Sequence, residues 1–350
     1  MIKLHNILNI YPSSTQVIRK QNTTPPPSLK PLDIDTVNFT CKCQKPMSAK
    51  IDLFSGNANP GLAEEIAKSL DVKVGNRTLK KFADGETYVR INDNVQGKDV
   101  YLVQPSANPV NDNIFELLLM TDAVKRADAK QVIAVIPYMG YERQDRKVED
   151  GEPIAAKLHA DMLTHAGVDK VITVDLHAAQ IEGFYNNTHV INISSIPVFS
   201  EYIKNKKLDN IVIVSPDAGG VKRAQKLADQ LDCSYASIHK KREGHNQVKA
   251  VSLVGDIKGK NCILFDDMVD TAGTIVEAAK MLKENGTKSV YVCAAHGLFS
   301  GPAYERLDKA PIEEVIVTNT LPLKPNPPEK IKQINIAPLI ADAIKKISGD

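Results

Sequence analysis

The most chemically loaded stretch of this 350-residue chain is ILFDDMVDTAGT, residues 263–274. An apolar, strand-like run delivers two adjacent carboxylates, Asp266 and Asp267. Asp270, Thr271, Ala272, Gly273 and Thr274 follow, small and hydroxyl-bearing residues where a helical pattern opens. Such a loop offers backbone N–H groups and hydroxyls at the positive end of a helix, which suits a phosphate. The paired acids suit ribose hydroxyls or a hydrated Mg²⁺, a hard cation that takes oxygen donors. A helix cap after an acidic turn is the competing explanation for the string. Further polar residues stand where apolar runs end: Asp175 and His177 in KVITVDLH, and Ser215 and Asp217 in NIVIVSPD.

The elements that must position these residues are legible as alternation. From Lys50 onward, short apolar runs rich in Val and Ile alternate with amphipathic windows, the pattern of strands joined by crossover helices. IDLFSG (51–56), residues 98–104, 131–138 and 170–177 read as strands. PGLAEEIAKSL, residues 111–129 and 154–167 read as helices, with Pro60 suited to a first helical turn. The grammar then restarts with strands over 210–217, 260–267, 289–297 and 314–320. The chain is therefore expected to be α/β with two similar halves. Open parallel sheets bind ligands outside the carboxyl ends of their strands, so the chemistry is expected to gather there.

Composition narrows the class. The chain is 43% hydrophobic and 25% charged, ordinary for a globular protein, and no run approaches the roughly 20 apolar residues of a spanning helix. Five Cys, an odd number with three inside apolar segments, argue against a disulfide framework and for a reducing compartment. The net charge of +2 conceals a basic tail: residues 1–47 hold six Lys/Arg against two Asp, which leaves the body slightly acidic. A general nucleic-acid binder would show a basic excess instead. The tail contains TTPPPSLKP and no lasting periodicity, so it is expected to be a disordered or targeting extension. Met47 is an alternative natural start, and Cys41 and Cys43 lack a nearby His or Cys cluster to complete a metal site. A cytoplasmic location is expected, or a plastid or mitochondrion if residues 1–46 act as a transit peptide.

Residues 263–274 match the phosphoribosyl-pyrophosphate signature of the phosphoribosyltransferase fold. The rest of the chain carries a more specific similarity. KFADGETYVRI, NDNIFELLLMTDAVKRA, IPYMGYERQDRK, KVITVDLHAAQIEGF, VSPDAGGVKRA and IHKKR resemble, in that order, segments of the ribose-phosphate diphosphokinase family, over about residues 48–348. That resemblance implies two tandem phosphoribosyltransferase-like domains, each a mostly parallel sheet flanked by helices. They would cover 48–195 and 196–350, and the last helix is a candidate to pack back on the N-terminal domain. The implied activity is transfer of the diphosphoryl group of ATP to the 1-hydroxyl of ribose 5-phosphate, giving phosphoribosyl pyrophosphate and AMP with Mg²⁺ as cofactor.

The resemblance also implies roles. Lys240 and Arg242 match the catalytic flexible loop; a solvated basic loop is the plainer alternative. Asp175 and His177 match metal and ATP-phosphate ligands, and Asp217 a second Mg²⁺ position. Phe82, Asp84, Glu86, Arg143 and Gln144 match positions that hold ATP, His177 again among them. Residues Asp266, Asp267 and 270–274 match the ribose-5-phosphate site. In the family the group around Phe82 comes from a neighbouring subunit, which implies a homo-oligomer, a hexamer by resemblance.

Three departures stand out. Gly183-Phe184-Tyr185-Asn186 replaces a carboxylate by an amide at the last position. Gln96 and Asp128 stand where an Arg and a Ser commonly form a regulatory phosphate/ADP pocket, and the chain stops at ISGD before the tail that contributes to it. The amide at Asn186 is expected to remove an outer metal contact, and Gln96, Asp128 and the absent tail to weaken anion binding in the regulatory pocket. The competing functions are a phosphoribosyltransferase that consumes the product and a non-catalytic subunit associated with the synthetase. The first would need a base-recognition hood; the second should have lost Lys240, Arg242, His177 and the Asp266–Asp267 pair.

Overall fold

The computed structural model describes residues 51–242 and 248–349, without the side chains of residues 240–242 and 248–251. The expectations for residues 1–47, including Cys41, Cys43 and Met47, lie outside the described residues.

Buried strand runs and amphipathic helices alternate as the sequence pattern requires. β1 (Ile51–Ser55) leads into α1 (Pro60–Ser69), whose Asn59 caps the helix by accepting the Leu62 N–H. β2 (Arg77–Lys81) and β3 (Thr87–Ile91) form an antiparallel hairpin. Next come β4 (Asp99–Val103), α2 (Val110–Arg126), β5 (Gln131–Val135), α3 (Ala155–Ala166), β6 (Lys170–Val174) and β7 (His189–Ile193). Strands β1, β4, β5, β6 and β7 make one parallel sheet in that spatial order.

The second series runs through α4 (Ile196–Lys206), β8 (Ile211–Ser215), α5 (Val221–Leu231), β9 (Ser234–Arg242), β10 (Val248–Val254), β11 (Asn261–Val269) and α6 (Gly273–Glu284). It closes with β12 (Ser289–Gly297), α7 (Ala303–Lys309), β13 (Glu314–Thr318), β14 (Ile331–Ile334) and α8 (Ala337–Ser348). The second sheet has the order β10-β9-β8-β11-β12-β13-β14, parallel except for β10 against β9.

The two strand orders differ in a way that locates the site. In the first sheet each successive core strand is added on the same side. In the second, the chain leaves β8 toward β9 on one side and leaves β11 toward β12 on the other. Adjacent strands whose connections diverge open a crevice at their carboxyl ends. The loops carrying Asp217, after β8, and Asp270–Ala272, after β11, flank that crevice.

The last helix crosses to the first sheet. Ala337, Ile340, Ala341 and Ile344 recur at one helical face and are buried. Ile340 and Ile344 share a core with Leu53 of β1, Leu62 and Ile66 of α1, and Ile133 and Ile172 of the first sheet. Gly349 ends the helix at φ 79, a left-handed conformation that glycine adopts without strain. Ile340→Ala should therefore destabilise the protein by about 2–5 kcal/mol through lost burial and a residual cavity. Equilibrium denaturation checks this; a loss below about 1 kcal/mol would contradict the packing of α8 on the first sheet.

Candidate active site

β11 brings its acids to the crevice. Burial of the strand from Asn261 onward fixes its path, and Asp266 and Asp267 lie near its carboxyl end. The polypeptide then turns into α6 through Ala272, which is buried and sits at φ 61. A non-glycine residue in that region costs of order 1 kcal/mol or more, and such positions cluster at functional sites. Ala272 is the N-cap, and among the described residues no side chain caps α6, so the start of the helix is left open to an external acceptor. Arg306 Nη1 donates to the Thr271 carbonyl at 3.0 Å and anchors the turn.

A cleft of about 340 Å³ lies over this turn. Asp217, Asp266, Asp267, Asp270, Thr271, Ala272, Gly273 and Thr274 line it together with His177 and Arg143. Residues from both sheets meet here. His177 Nδ1 lies 2.5 Å from Asp267 Oδ2, and Arg143 Nη1 lies 2.8 Å from Asp270 Oδ2. Arg143 also borders a second cleft of about 760 Å³, with Gln144, Tyr138, Glu142, Leu321 and Lys324 on its walls. The Arg143–Asp270 pair forms the boundary between the two spaces.

The two neighbouring acids are driven apart electrostatically. Burial and the charge of Asp267 push the Asp266 carboxyl well above its ordinary value, against the opposing pull of Arg223. Burial also works against ionisation of Asp267, but the hydrogen bond from His177 and the charge of Arg223 prevail and hold its carboxyl well below the usual range. The same hydrogen bond raises the His177 imidazole. Adjacent groups whose environments separate their affinities for protons are a recurring property of reaction sites.

The structure distributes the remaining predicted residues unevenly. Asp175 does not line either cleft. β6 ends at Val174, and Asp175, at φ 44, directs its carboxylate to the hydroxyl and backbone N–H of Ser195 at the start of α4. The sequence pattern extended that strand through His177 and so placed both residues in one cleft; the early break separates them. Asp217 accepts the Gly220 N–H at 2.9 Å, closing the turn into α5, while remaining on the cleft. Phe82, Asp84 and Glu86 occupy the exposed tip of the β2–β3 hairpin, where Phe82 packs edge-on against Tyr88, and none of them borders the clefts. Lys240 and Arg242 belong to β9, but their side chains lie outside the described residues. The Gly97 N–H donates to the Asp128 carbonyl, so the loops of Gln96 and Asp128 adjoin.

Two site residues escaped the sequence analysis. Arg223 bridges Asp266 and Asp267; its signal was a cation in the first turn of a helix, where the peptide dipoles disfavour it. Glu142 is buried and its Oε2 accepts the His177 N–H at 2.8 Å, while Oε1 has no partner among the described residues. Its position inside YERQDRK gave no sign of this.

The donors present fit Mg²⁺ in kind. Carboxylates at Asp217, Asp266 and Asp267 are hard oxygen ligands, and this ion is commonly held by one or two carboxylates plus substrate phosphates and water. No ready-made group of three protein ligands exists among the described residues.

Comparison with known proteins identifies what the chain is similar to. Residues 51–167 match the N-terminal domain of ribose phosphate pyrophosphokinase, and residues 245–350 match the phosphoribosyl synthetase-associated domain. The ribose-phosphate pyrophosphokinase of Clostridium perfringens is 48% identical over 311 residues, covering 87% of this chain and 96% of that protein. That of Bacillus subtilis is 47% identical over 298 residues, covering 85% and 94%. The crystal structure of phosphoribosylpyrophosphate synthetase from Mycobacterium smegmatis superposes with a TM-score of 0.80 at 43% identity, over 85% of this chain and 98% of that one.

Glu142 yields a test of the electrostatics. Burial pushes its carboxyl up to about 8, so at neutral pH the native protein holds a proton that the unfolded chain releases. The native state is therefore disfavoured progressively as pH rises from about 4.5 to 8, by up to a few kcal/mol. Glu142→Gln mimics the protonated form. It should melt at least as high as the wild type at pH 8 and lose less stability between pH 5 and 8; a steeper loss in the variant would refute the assignment.

Proposed function

The chain belongs to the ribose-phosphate pyrophosphokinase family, and from that premise we propose where on this molecule the two substrates sit and which residues act on them. The enzyme transfers the diphosphoryl group of ATP to the 1-hydroxyl of ribose 5-phosphate, releasing AMP. The observation that carries our reading is the meeting of loops from the first strand series with the end of β11: His177 on Asp267, and Arg143 on Asp270, at the edge of one cleft.

Ribose 5-phosphate occupies the smaller cleft. Its phosphate lies at the open start of α6, where Thr271, Gly273 and Thr274 supply N–H groups and hydroxyls. Asp266 and Asp267 accept hydrogen bonds from the ring hydroxyls, and Asp270 borders the phosphate turn. ATP lies along Arg143, Gln144 and His177. Phe82, Asp84 and Glu86 reach it from a neighbouring subunit, in keeping with their exposure and their distance from the clefts of their own chain. A homo-oligomer is thus part of the active arrangement.

Asp217 and His177, with the substrate phosphates, would hold Mg²⁺, which when bound would neutralise charge on the transferring group. The chain's own residues do the rest by position. Transfer of a phosphoryl group passes through a loose transition state that needs alignment and charge stabilisation more than covalent help. Lys240 and Arg242 provide cations where negative charge develops, and we assign no single general base. The phosphoribosyltransferase alternative lacks support because Arg143 and Gln144 furnish a nucleotide site in place of a base-recognition hood. The non-catalytic alternative sits poorly with the retention of His177, Lys240, Arg242, Asp266 and Asp267. Free thiols at Cys233, Cys262 and Cys293, two of them buried, fit a reducing compartment such as the cytoplasm, and no helix among the described residues is long and apolar enough to cross a membrane.

ATP labelled in its γ-phosphate should pass its label into the sugar product while AMP accumulates. Labelled orthophosphate appearing with ADP would contradict the reaction. Lys240→Ala and Arg242→Ala should each lower kcat by about 10²- to 10³-fold with a much smaller change in KM for ribose 5-phosphate, the usual loss for one positioned electrostatic group. Near-normal turnover in either variant would remove that residue from the catalytic set.

A further inference from the structure

Arg223 has no part in the reading above, yet among the described residues it is a cation placed directly between the cleft acids. It stands in the first turn of α5, which carries no acidic residue of its own there. Its side chain is only 20% exposed. A guanidinium at a positive helix end, largely removed from water, requires partners elsewhere. It finds them on β11: Nη1 lies 3.1 Å from Asp267 Oδ1 and 3.4 Å from Asp266 Oδ1.

One nitrogen thus serves two consecutive residues. Successive side chains of a strand ordinarily point to opposite faces, so neighbours do not share a ligand. Asp266 and Asp267 depart from that rule, because both border the same cleft. The backbone shows the departure as well, since the Asp267 N–H donates to Asp266 Oδ1 at 2.9 Å. Two carboxylates held this close repel each other, and a cation between them offsets the repulsion. Asp267 is then fixed from both sides, by Arg223 on Oδ1 and by His177 on Oδ2.

We propose that Arg223 is a positioning residue: it spans the Asp266–Asp267 pair, aligns the two carboxylates on the neighbouring hydroxyls of the ribose ring, and so makes the site selective for a sugar phosphate that carries a 2-hydroxyl. The inference rests on the assignment of that pair to the ring hydroxyls. A direct role in binding phosphate does not suit a guanidinium already facing two acids, whereas fixing those acids does. Sites built to hydrogen-bond a hydroxyl reject analogues without it, because their buried polar groups are then left unpaired.

The experiment compares ribose 5-phosphate with 2-deoxyribose 5-phosphate, using the full chain, ATP and Mg²⁺, and reads the ratio of the two kcat/KM values. Wild-type enzyme should favour the hydroxylated sugar strongly. Arg223→Gln should lower the ratio tenfold or more, with a raised KM for ribose 5-phosphate and a KM for ATP within about twofold of wild type. Arg223→Lys keeps the charge but not the planar group, and should fall between. Asp266→Ala serves as the control that collapses the ratio by removing both side-chain oxygens. An unchanged ratio in Arg223→Gln alongside a collapsed ratio in Asp266→Ala overturns the role of Arg223 and leaves the sugar assignment standing. An unchanged ratio in Asp266→Ala, or a wild-type ratio near one, overturns the assignment and the inference together. If the Gln variant does not fold, the Lys variant decides: a wild-type ratio there is the negative result. A fall in kcat with the ratio intact would mark Arg223 as a charge on the reacting phosphates and would equally overturn the proposal.

Discussion

A carboxylate removed from water stays ionised only if the protein supplies what the solvent gave it. Asp267 is the place where this constraint is met, and the site is organised around the way it is met. Its two oxygens are held by His177 from the loop after β6 and Arg223 from α5. The charge that makes the pair useful toward a sugar is therefore the same charge that joins elements from both series of strands. Glu142 extends the arrangement by accepting the backbone N–H of His177, and His296 adds a parallel tie, with Nε2 3.0 Å from the Val174 carbonyl and Nδ1 3.0 Å from Thr320 Oγ1. Burial pushes the His296 imidazole down to about 4, so this tie is made by a neutral ring that keeps its hydrogen-bonding pattern across the neutral range.

Local strings were readable in the sequence because they report local rules. The apolar runs at Asp99–Val103, Gln131–Val135 and Glu314–Thr318 are strands, and the small residues of 270–274 do open a helix. The hairpin at Arg77–Ile91 and the short strands at His189–Ile193 and Ile331–Ile334 were less visible, since they lack long apolar runs and their burial is mixed. Asp175 shows the more instructive difference. KVITVDLH reads as one continuous strand, but the left-handed backbone at its aspartate stops it, and the carboxylate is held by Ser195, 20 positions away in the sequence.

The contacts that define the site join residues far apart in the chain. His177 and Asp267 are 90 positions apart, and Arg223 is 43 from Asp266. Periodicity and spacing carry no information about such pairs. What the sequence did contain was a local inconsistency: the Arg of GGVKRA occupies the wrong end of its helix for a surface cation. A residue that violates a local preference within an otherwise consistent element is answering to something outside that element.

The last helix has a consequence for how the polypeptide matures. α8 fills a face of the first sheet beside α1, although thirteen strands and six α-helices separate it from α1 in the order of synthesis. Domains generally fold as units from the N-terminus as the chain emerges. Here the earliest sheet to be made keeps one apolar surface uncovered until the final element arrives, so its completion is a late event and its first half is the portion in greatest need of protection from other chains during translation.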